Sequence, residues 1–375
     1  MSAGQRFLTW LESSQPALLT PVHLVFGRSI GSAAFRTVTL AQLGTIALTW
    51  DLWKQRTTPP LLPVFEGLPG TSLGWPLVLT LLVALAAPRS GTIAHLLILT
   101  YAILADQTRL QPEFVSMALL LGSIEFEMAR FVGRAHLVTL WVWSGLHKLL
   151  STGFGPGTAT WLSGWLNMPV ASVRWVLPAA EVLLGIMALT RRTHRIAIPM
   201  AFSLHGTILL VLLWHNWNPA VWLWNVALPA AAAFLLADSI GPKSAGVFRK
   251  PPGTTRVSVI TAVIWLVAWV YPAGFYLGLS DAYLSHNLYS GNEQRALVCA
   301  LNQDNETACF DISRNTYETL NVPLPPESHL FRAWFVNSCK PGESLYILPV
   351  QTVFNDEGSS PTRPSLPFPC HRAPG

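Results

Sequence analysis

Nine apolar stretches, at roughly 30–52, 73–88, 91–106, 112–131, 135–151, 172–190, 194–215, 219–240 and 257–279, follow one another along this chain with only short polar loops between them. About 20 apolar residues in a helix cross the hydrocarbon core of a bilayer, and in lipid only helices and closed barrels satisfy every backbone polar group. The expected fold is therefore an all-α polytopic transmembrane bundle of about nine spans over 30–280, with the second and third stretches short for a crossing. Charged residues make up 11% of the 375 positions, against about 25% in soluble domains. The net charge of +5 lies in loops between apolar runs, the positive-inside pattern of membrane proteins. The lipid bilayer is the expected partner, with no nucleic acid. Residues 1–29 contain Glu12, Pro16 and Pro21, lack the compact apolar core of a signal peptide, and read as an N-terminal interfacial segment.

Placing the N-terminus in the cytoplasm puts Arg89, Arg130, Arg134, Arg191, Arg192, Arg195, Lys243, Arg249, Lys250 and Arg256 in inner loops. Only Lys54, Arg56, Arg109 and, near helix ends, Lys148 and Arg174 then fall on the other side. An odd number of spans leaves 281–375 extracytoplasmic, periplasmic in a bacterial inner membrane. The cysteines test this independently. Cys299, Cys309, Cys339 and Cys370 all follow the last span and read as two disulfides in an oxidising compartment. Three pairings are possible. The runs 295–301 and 307–312 flank a turn at Asp304 as a hairpin with Cys299 and Cys309 equidistant from it, which selects Cys299–Cys309 and Cys339–Cys370. The runs 330–336 and 345–350 around Cys339-Lys340-Pro341-Gly342 read as two more strands, making the tail a small β-rich domain. Asn305-Glu306-Thr307 is a glycosylation sequon, and the Pro- and Ser-rich end from Ser359 reads as irregular.

With this topology the polar residues of the spans collect toward the outer face. Asp51 closes the first span, and Asp106 and Arg109 form the turn before Pro112. Ser144, His147 and Lys148 close the fifth span. Glu181 lies inside the sixth, His205 inside the seventh, His215, Asn216 and Asn218 at its end, and Asn225 at the start of the eighth. His286 and Asn287 follow the ninth. Glu125, Glu127, Arg130, Arg134 and Arg36 read as an inner-face network. An ionisable group in hydrocarbon is a functional-site hypothesis by default, so Lys148 and Glu181 stand out; three roles are open to Lys148: base, ion-pair partner of Glu181, or an amine snorkelling to the headgroups. The tryptophans, Trp161 and Trp217 among them, read as aromatic-belt anchors. No metal is expected, because His205, His215 and His286 lack ligand spacing and the bundle contains no cysteine.

Phe35-Arg36 with Leu40, Gly44 and Asp51-Leu52 resembles the first helix of the HTTM (horizontally transferred transmembrane) family, which includes the vitamin K-dependent γ-glutamyl carboxylases. Trp143-Ser144-Gly145-Leu146-His147-Lys148-Leu149, followed by Trp161-Leu162, resembles that family's Gly-x-Lys-Lys-Leu segment before a Trp, with His147 where the family has a second lysine. Glu181 to Gly185 followed by Arg191-Arg192, and His215-Asn216-Trp217-Asn218 with Trp222 to Asn225, also resemble DoxX-like membrane proteins. The likeness covers roughly 30–290. It implies a quinone or quinol as the cofactor, Lys148 as the base that deprotonates the quinol, and His147 and Ser144 as its assistants. Asp106, Arg109, Glu181, His205, His215, Asn216, Asn218 and Asn225 would line the pocket. The physics suits this role, since a lysine is a base only when neutral and burial disfavours its ammonium. The carboxylases carry a much larger extramembrane domain than the 95 or so residues here. The alternative is a non-enzymatic DoxX-like subunit or assembly partner of a membrane complex, with polar residues as interhelical glue.

Overall fold

The structure, a computed structural model, describes residues 20–237, 255–301, 307–350, 352 and 366–370. The expected interfacial segment lies outside them up to residue 19, as do Asn305 of the sequon, Lys243, Arg249, Lys250 and the chain from Ser359 to 365. The chain is mostly helical: α1 (Thr20–Leu48), α2 (Gly74–Ala86), α3 (Pro88–Ala105), α4 (Pro112–Glu125), α5 (Arg130–Leu149), α6 (Thr160–Leu166), α7 (Val170–Leu189), α8 (His194–Trp214), α9 (Trp224–Ala237) and α10 (Thr255–Val270). A smaller C-terminal unit follows, with strands β1 (Arg295–Leu301), β2 (Thr307–Asp311), β3 (Ser344–Leu348) and β4 (Phe368–Pro369) and helices α11 (Ile312–Leu320) and α12 (Ser328–Ser338).

Each expected apolar stretch coincides with helix, but the nine crossings are not reached by length and apolarity. Among the described residues four helical segments are long and apolar enough to cross a membrane: Val170–Leu189, Arg191–Trp214, Pro219–Ala237 and Val259–Leu277. The helix α4, with 14 residues, rises about 21 Å at 1.5 Å per residue, short of a core about 30 Å thick. Prolines set two of the starts: Pro88 and Pro112 occupy the first positions of α3 and α4, where the missing N–H is no loss, and Pro88 keeps α2 from running on. The first helix also starts at Thr20 rather than at 30. Helix α9 is enclosed by protein, whereas α7, α8 and α10 leave most of their apolar surface exposed, as lipid-facing helices do. At the charged end of the bundle, three of the expected residues make the following contacts. Glu125 pairs with Arg89 at 3.3 Å, Arg134 Nε donates to the Leu235 carbonyl, and the Arg130 guanidinium lies 5.1 Å from the Phe234 ring centre.

In the C-terminal unit the hairpin expectation holds: β1 and β2 pair antiparallel with Cys299 opposite Cys309, and both expected disulfides form. The sheet order is β2-β1-β3-β4. The run 330–336 is a correction, because it lies in α12 and not in a strand. Its buried residues Leu330, Phe331, Trp334 and Phe335 recur at helical spacing, not at the alternation a half-buried strand requires.

This unit is docked on the end of the bundle that carries Lys148. Leu320 and Val322 join the bundle core, while Leu62, from the loop after α1, joins the domain core. Gln111 Nε2 donates to the Pro323 carbonyl at 2.8 Å, and the Ala282 N–H donates to Glu327 Oε1 at 2.7 Å. Burial pushes the Glu327 carboxyl up from 4.5 to about 7, with Asp281 adding to the shift against that hydrogen bond. An acid whose folded pKa is raised contributes stability that is complete below its unfolded pKa and is lost as pH rises through the folded value. Docking is therefore expected to weaken between about pH 4.5 and about pH 7. Hydrogen exchange at the Ala282 amide should report this, and Glu327→Gln should flatten the profile. Protection that grows with pH across that window would refute it.

Candidate functional site

Helix α5 presents two polar faces. Ser144 and Lys148, one turn apart, face α7. Lys148 Nζ donates to Glu181 Oε2 at 2.7 Å, to Glu181 Oε1 at 3.1 Å and to Ser144 Oγ at 2.7 Å. Both ends of the pair are buried, with side-chain exposures of 6% and 7%, so the amine does not snorkel. Two glycines make the approach possible. A Cβ on Gly145 would lie 2.5 Å from the Pro178 carbonyl oxygen, and one on Gly185 would lie 2.4 Å from Val142 Cγ2. Small residues at such contacts let helix backbones close together in a membrane.

The next residue, His147, faces away from α7. Its Nε2 lies 2.9 Å from the Ser285 carbonyl and its Nδ1 lies 2.7 Å from the Tyr276 hydroxyl. A carbonyl only accepts, so Nε2 carries the proton and Nδ1 accepts from the tyrosine. With both nitrogens engaged, His147 holds the segment 280–293 in place and makes no hydrogen bond to Lys148. Glu181 and Ser144, not His147, are the side chains bonded to Lys148.

His205 and Asn225 are brought beside the same helix, in a closed chain. Trp141 Nε1 donates to His205 Nε2 at 2.9 Å. The proton on His205 Nδ1 goes to Asn225 Oδ1 at 2.9 Å, and Asn225 Nδ2 donates to the Val221 carbonyl. The chain ties α5, α8 and α9 together and leaves neither ring nitrogen of His205 for a ligand. Asp106 and Arg109 belong to a separate knot. Asp106 accepts from Arg56 and Thr108 and from the Leu62 N–H, while Arg109 donates to the Leu52, Ala102 and Lys54 carbonyls. Its work is to fix the loop after α1, and none of these bonds reaches Lys148. Asn216 and Asn218 have φ of 47° and 45°, a left-handed turn that asparagine tolerates. Asn218 is buried, donates through Nδ2 to the Tyr289 hydroxyl, and its Oδ1 has no partner.

Sequence reasoning placed His286 and Asn287 at the outer face but missed the other groups that the 280–293 segment brings in. The segment is irregular but self-bonded, as a buried non-helical segment has to be: Ser285 N donates to Asp281 O, Asn287 N to Ala282 O, and the Ser290 hydroxyl contacts Asn287, Asn292 and Glu293. Gly291, at φ 73°, is required, since a Cβ there would meet the Gly153 carbonyl carbon at 2.8 Å. Glu293 lies within electrostatic reach of Lys148; burial raises its carboxyl against that charge and against bonds from Ser290. Burial, with Glu113 and Glu293 beside it, raises the Tyr283 phenol well above its usual range, and burial beside Glu113 raises Tyr289 too. Burial next to His136 and His147 holds His286 well below its usual value, hence neutral. The rings of His136 and His286 are 5.3 Å apart, and His136 Nε2 is 2.7 Å from Ser116 Oγ. Tyr283, His286, Tyr289 and Glu293 are only half-buried, so the cluster keeps accessible surface inside the junction of bundle and domain. His286 and Asn287 were the sequence's pointers to this segment, and His136, a histidine within an apolar helix, was a further signal left unread.

His215 stands apart from Lys148 at the rim of a cleft of about 420 Å³ that Gly157, Thr158, Trp161 and Trp217 also line. Among the described residues no group of three His, Cys, Asp or Glu side chains is placed to hold a metal ion. No known protein family, no curated protein and no solved structure matches this chain.

Proposed function

We propose that the chain is an integral membrane protein of the carboxylase-like HTTM group that holds a quinone or quinol against Lys148, with the domain-bearing end outside the cytoplasm of a bacterial inner membrane. In this reading the four long apolar helices cross the bilayer, and the shorter α2 and α4 pack beside them. The observation that supports it best is the Lys148–Glu181 pair, buried within reach of Glu293 inside an apolar bundle. Ionisable groups concentrated where water is scarce are what proton-coupled ligand chemistry uses.

The pairing refines the role of the amine. A lysine acts as a base only when its amine is neutral. Glu181, 2.7 Å from Nζ, is placed to hold the proton that the amine gives up, and a quinol bound here would present its hydroxyl to the neutral amine. Ser144, which bonds the same nitrogen, keeps the amine aimed while it is neutral. The phenols of Tyr283 and Tyr289, protonated, supply donors to a ligand oxygen. The subunit alternative draws less support, because His205 and Asn225, the residues suited to gluing a partner helix, are bonded within the chain.

Mass spectrometry of small molecules retained in mild detergent is expected to find a quinone-class ligand. After reconstitution with a menaquinone, the doubly substituted Lys148→Met/Glu181→Leu protein should stay folded and lose that ligand. A wild-type protein that takes up no quinone, or a folded double variant that binds it equally well, would end this reading.

A further inference from the structure

We infer that the turn from Asn287 to Glu293 is a binding site for one monovalent metal cation of the Na⁺ class. The first support is a shortage of hydrogens. The Ser290 hydroxyl is met by three acceptor oxygens, Asn287 Oδ1, Asn292 Oδ1 and Glu293 Oε1. A hydroxyl has one hydrogen to donate and an amide oxygen has none. The Asn292 backbone N–H is directed at the same hydroxyl and serves none of the acceptors. Even with a proton on Glu293, one of the three contacts sets oxygen against oxygen. The side-chain nitrogens of Asn287 and Asn292 are without a partner as well. Turning both amides over would bring donors to Ser290 but strand the two oxygens instead. Asn287, Ser290 and Asn292 are each 0% exposed, where an unsatisfied polar atom is costly. A cation uses these oxygens as they stand.

The ligand set then selects the ion. Two amide oxygens, a hydroxyl and a carboxylate suit a hard cation. Glu293 is the one acid of the four, so a monovalent ion leaves the site neutral. A divalent ion would leave a net positive charge buried, with the charge of Lys148 acting on the same carboxylate, and unbalanced buried charge is strongly disfavoured.

The shape of the segment is the third support. Gly291, at φ 73°, turns the chain against the Gly153 backbone and lets side chains close in sequence converge on one hydroxyl. Secondary transporters coordinate Na⁺ at such breaks in helical structure. Glu293 is only half-buried, which gives the ion a way in. Burial raises its carboxyl against the pull of Lys148, so the ion enters as that proton leaves. The site does not depend on the quinone reading, because Lys148 directs its hydrogens to Ser144 and Glu181.

The test is thermal unfolding of the full chain in one detergent at about pH 8, with Na⁺ replaced by equal choline. Na⁺ is expected to raise the midpoint by about 3 °C, the shift for an ion present at about tenfold its Kd. Glu293→Gln keeps the shape of the protonated acid, so it should melt like the wild type in choline and lose the Na⁺ response. Ser290→Ala should lose most of that response, and Asp51→Asn, at an exposed acid elsewhere, should retain it. Equal wild-type midpoints in Na⁺ and choline, the result a resident water would give, would overturn the proposal. So would a response that survives in Glu293→Gln. A larger shift with Ca²⁺ than with Na⁺ would overturn the monovalent assignment.

Discussion

Glu181→Leu is expected to destabilise the folded protein by about 3–5 kcal/mol, the usual cost of removing one partner from a buried ion pair. The ammonium of Lys148, 6% exposed, would keep Ser144 Oγ but lose both carboxylate oxygens. Water cannot replace them, because Gly145 and Gly185 bring α5 and α7 into backbone contact on either side. Lys148→Met should cost a similar amount for the mirror reason, leaving the carboxylate uncompensated. The combined Lys148→Met/Glu181→Leu substitution should recover most of the loss, since well-packed apolar residues of similar volume are often neutral or stabilising in place of a buried pair. Denaturant or thermal unfolding in one detergent, run as a double-mutant cycle, reads the coupling. Additive losses would mean that the two groups are not partners in the membrane.

Gly145→Val is expected to cost about 3 kcal/mol or more, by overpacking and by loss of the same pair. The atom that a Cβ would strike at 2.5 Å is the Pro178 carbonyl oxygen, with the Val182 N 3.0 Å away. These are backbone atoms, which cannot rotate aside as a side chain can. The helices must separate, and Glu181, one turn beyond Pro178, moves with α7 out of reach of Lys148. Gly206 in α8 provides the contrast, since a Cβ there meets nothing within 4 Å. Gly206→Ala should stabilise by about 0.5–1 kcal/mol through helix propensity alone. Comparable melting temperatures for the two variants would contradict the close contact of α5 and α7.

The two substitutions probe different layers of one site. The glycines bring the helices together, and the ion pair exploits the resulting proximity. The polar atoms nearby fall into satisfied chains, such as Trp141–His205–Asn225, and into the cluster around Tyr283 and Glu293 that retains accessible surface. Any ligand chemistry is expected in the second class, because a donor already bonded inside the protein gains little from a new partner.

Much of the architecture could be read from short-range spacing. The apolar runs became helices because their length and composition dictate it. The hairpin and both disulfides followed from two strand-like runs about a turn and from cysteines at equal distance from it. Lys148 and Glu181 were recognisable as partners because each is a charge with no local neighbour in an apolar run. Other features depend on contacts between distant segments, and these were not legible. The run 330–336 has strand-like composition but buries a helical face. His147, expected beside Lys148, points to Ser285 because adjacent helical residues diverge by about 100°. Glu113, Tyr283, Tyr289 and Glu293 have unremarkable neighbours in sequence and come together only because the 280–293 segment is drawn down against α4 and α5. Periodicity tells which face of a helix is apolar; which polar groups meet across faces is set by crossing angles and by where an irregular segment satisfies its own backbone, and those are properties of the assembled bundle.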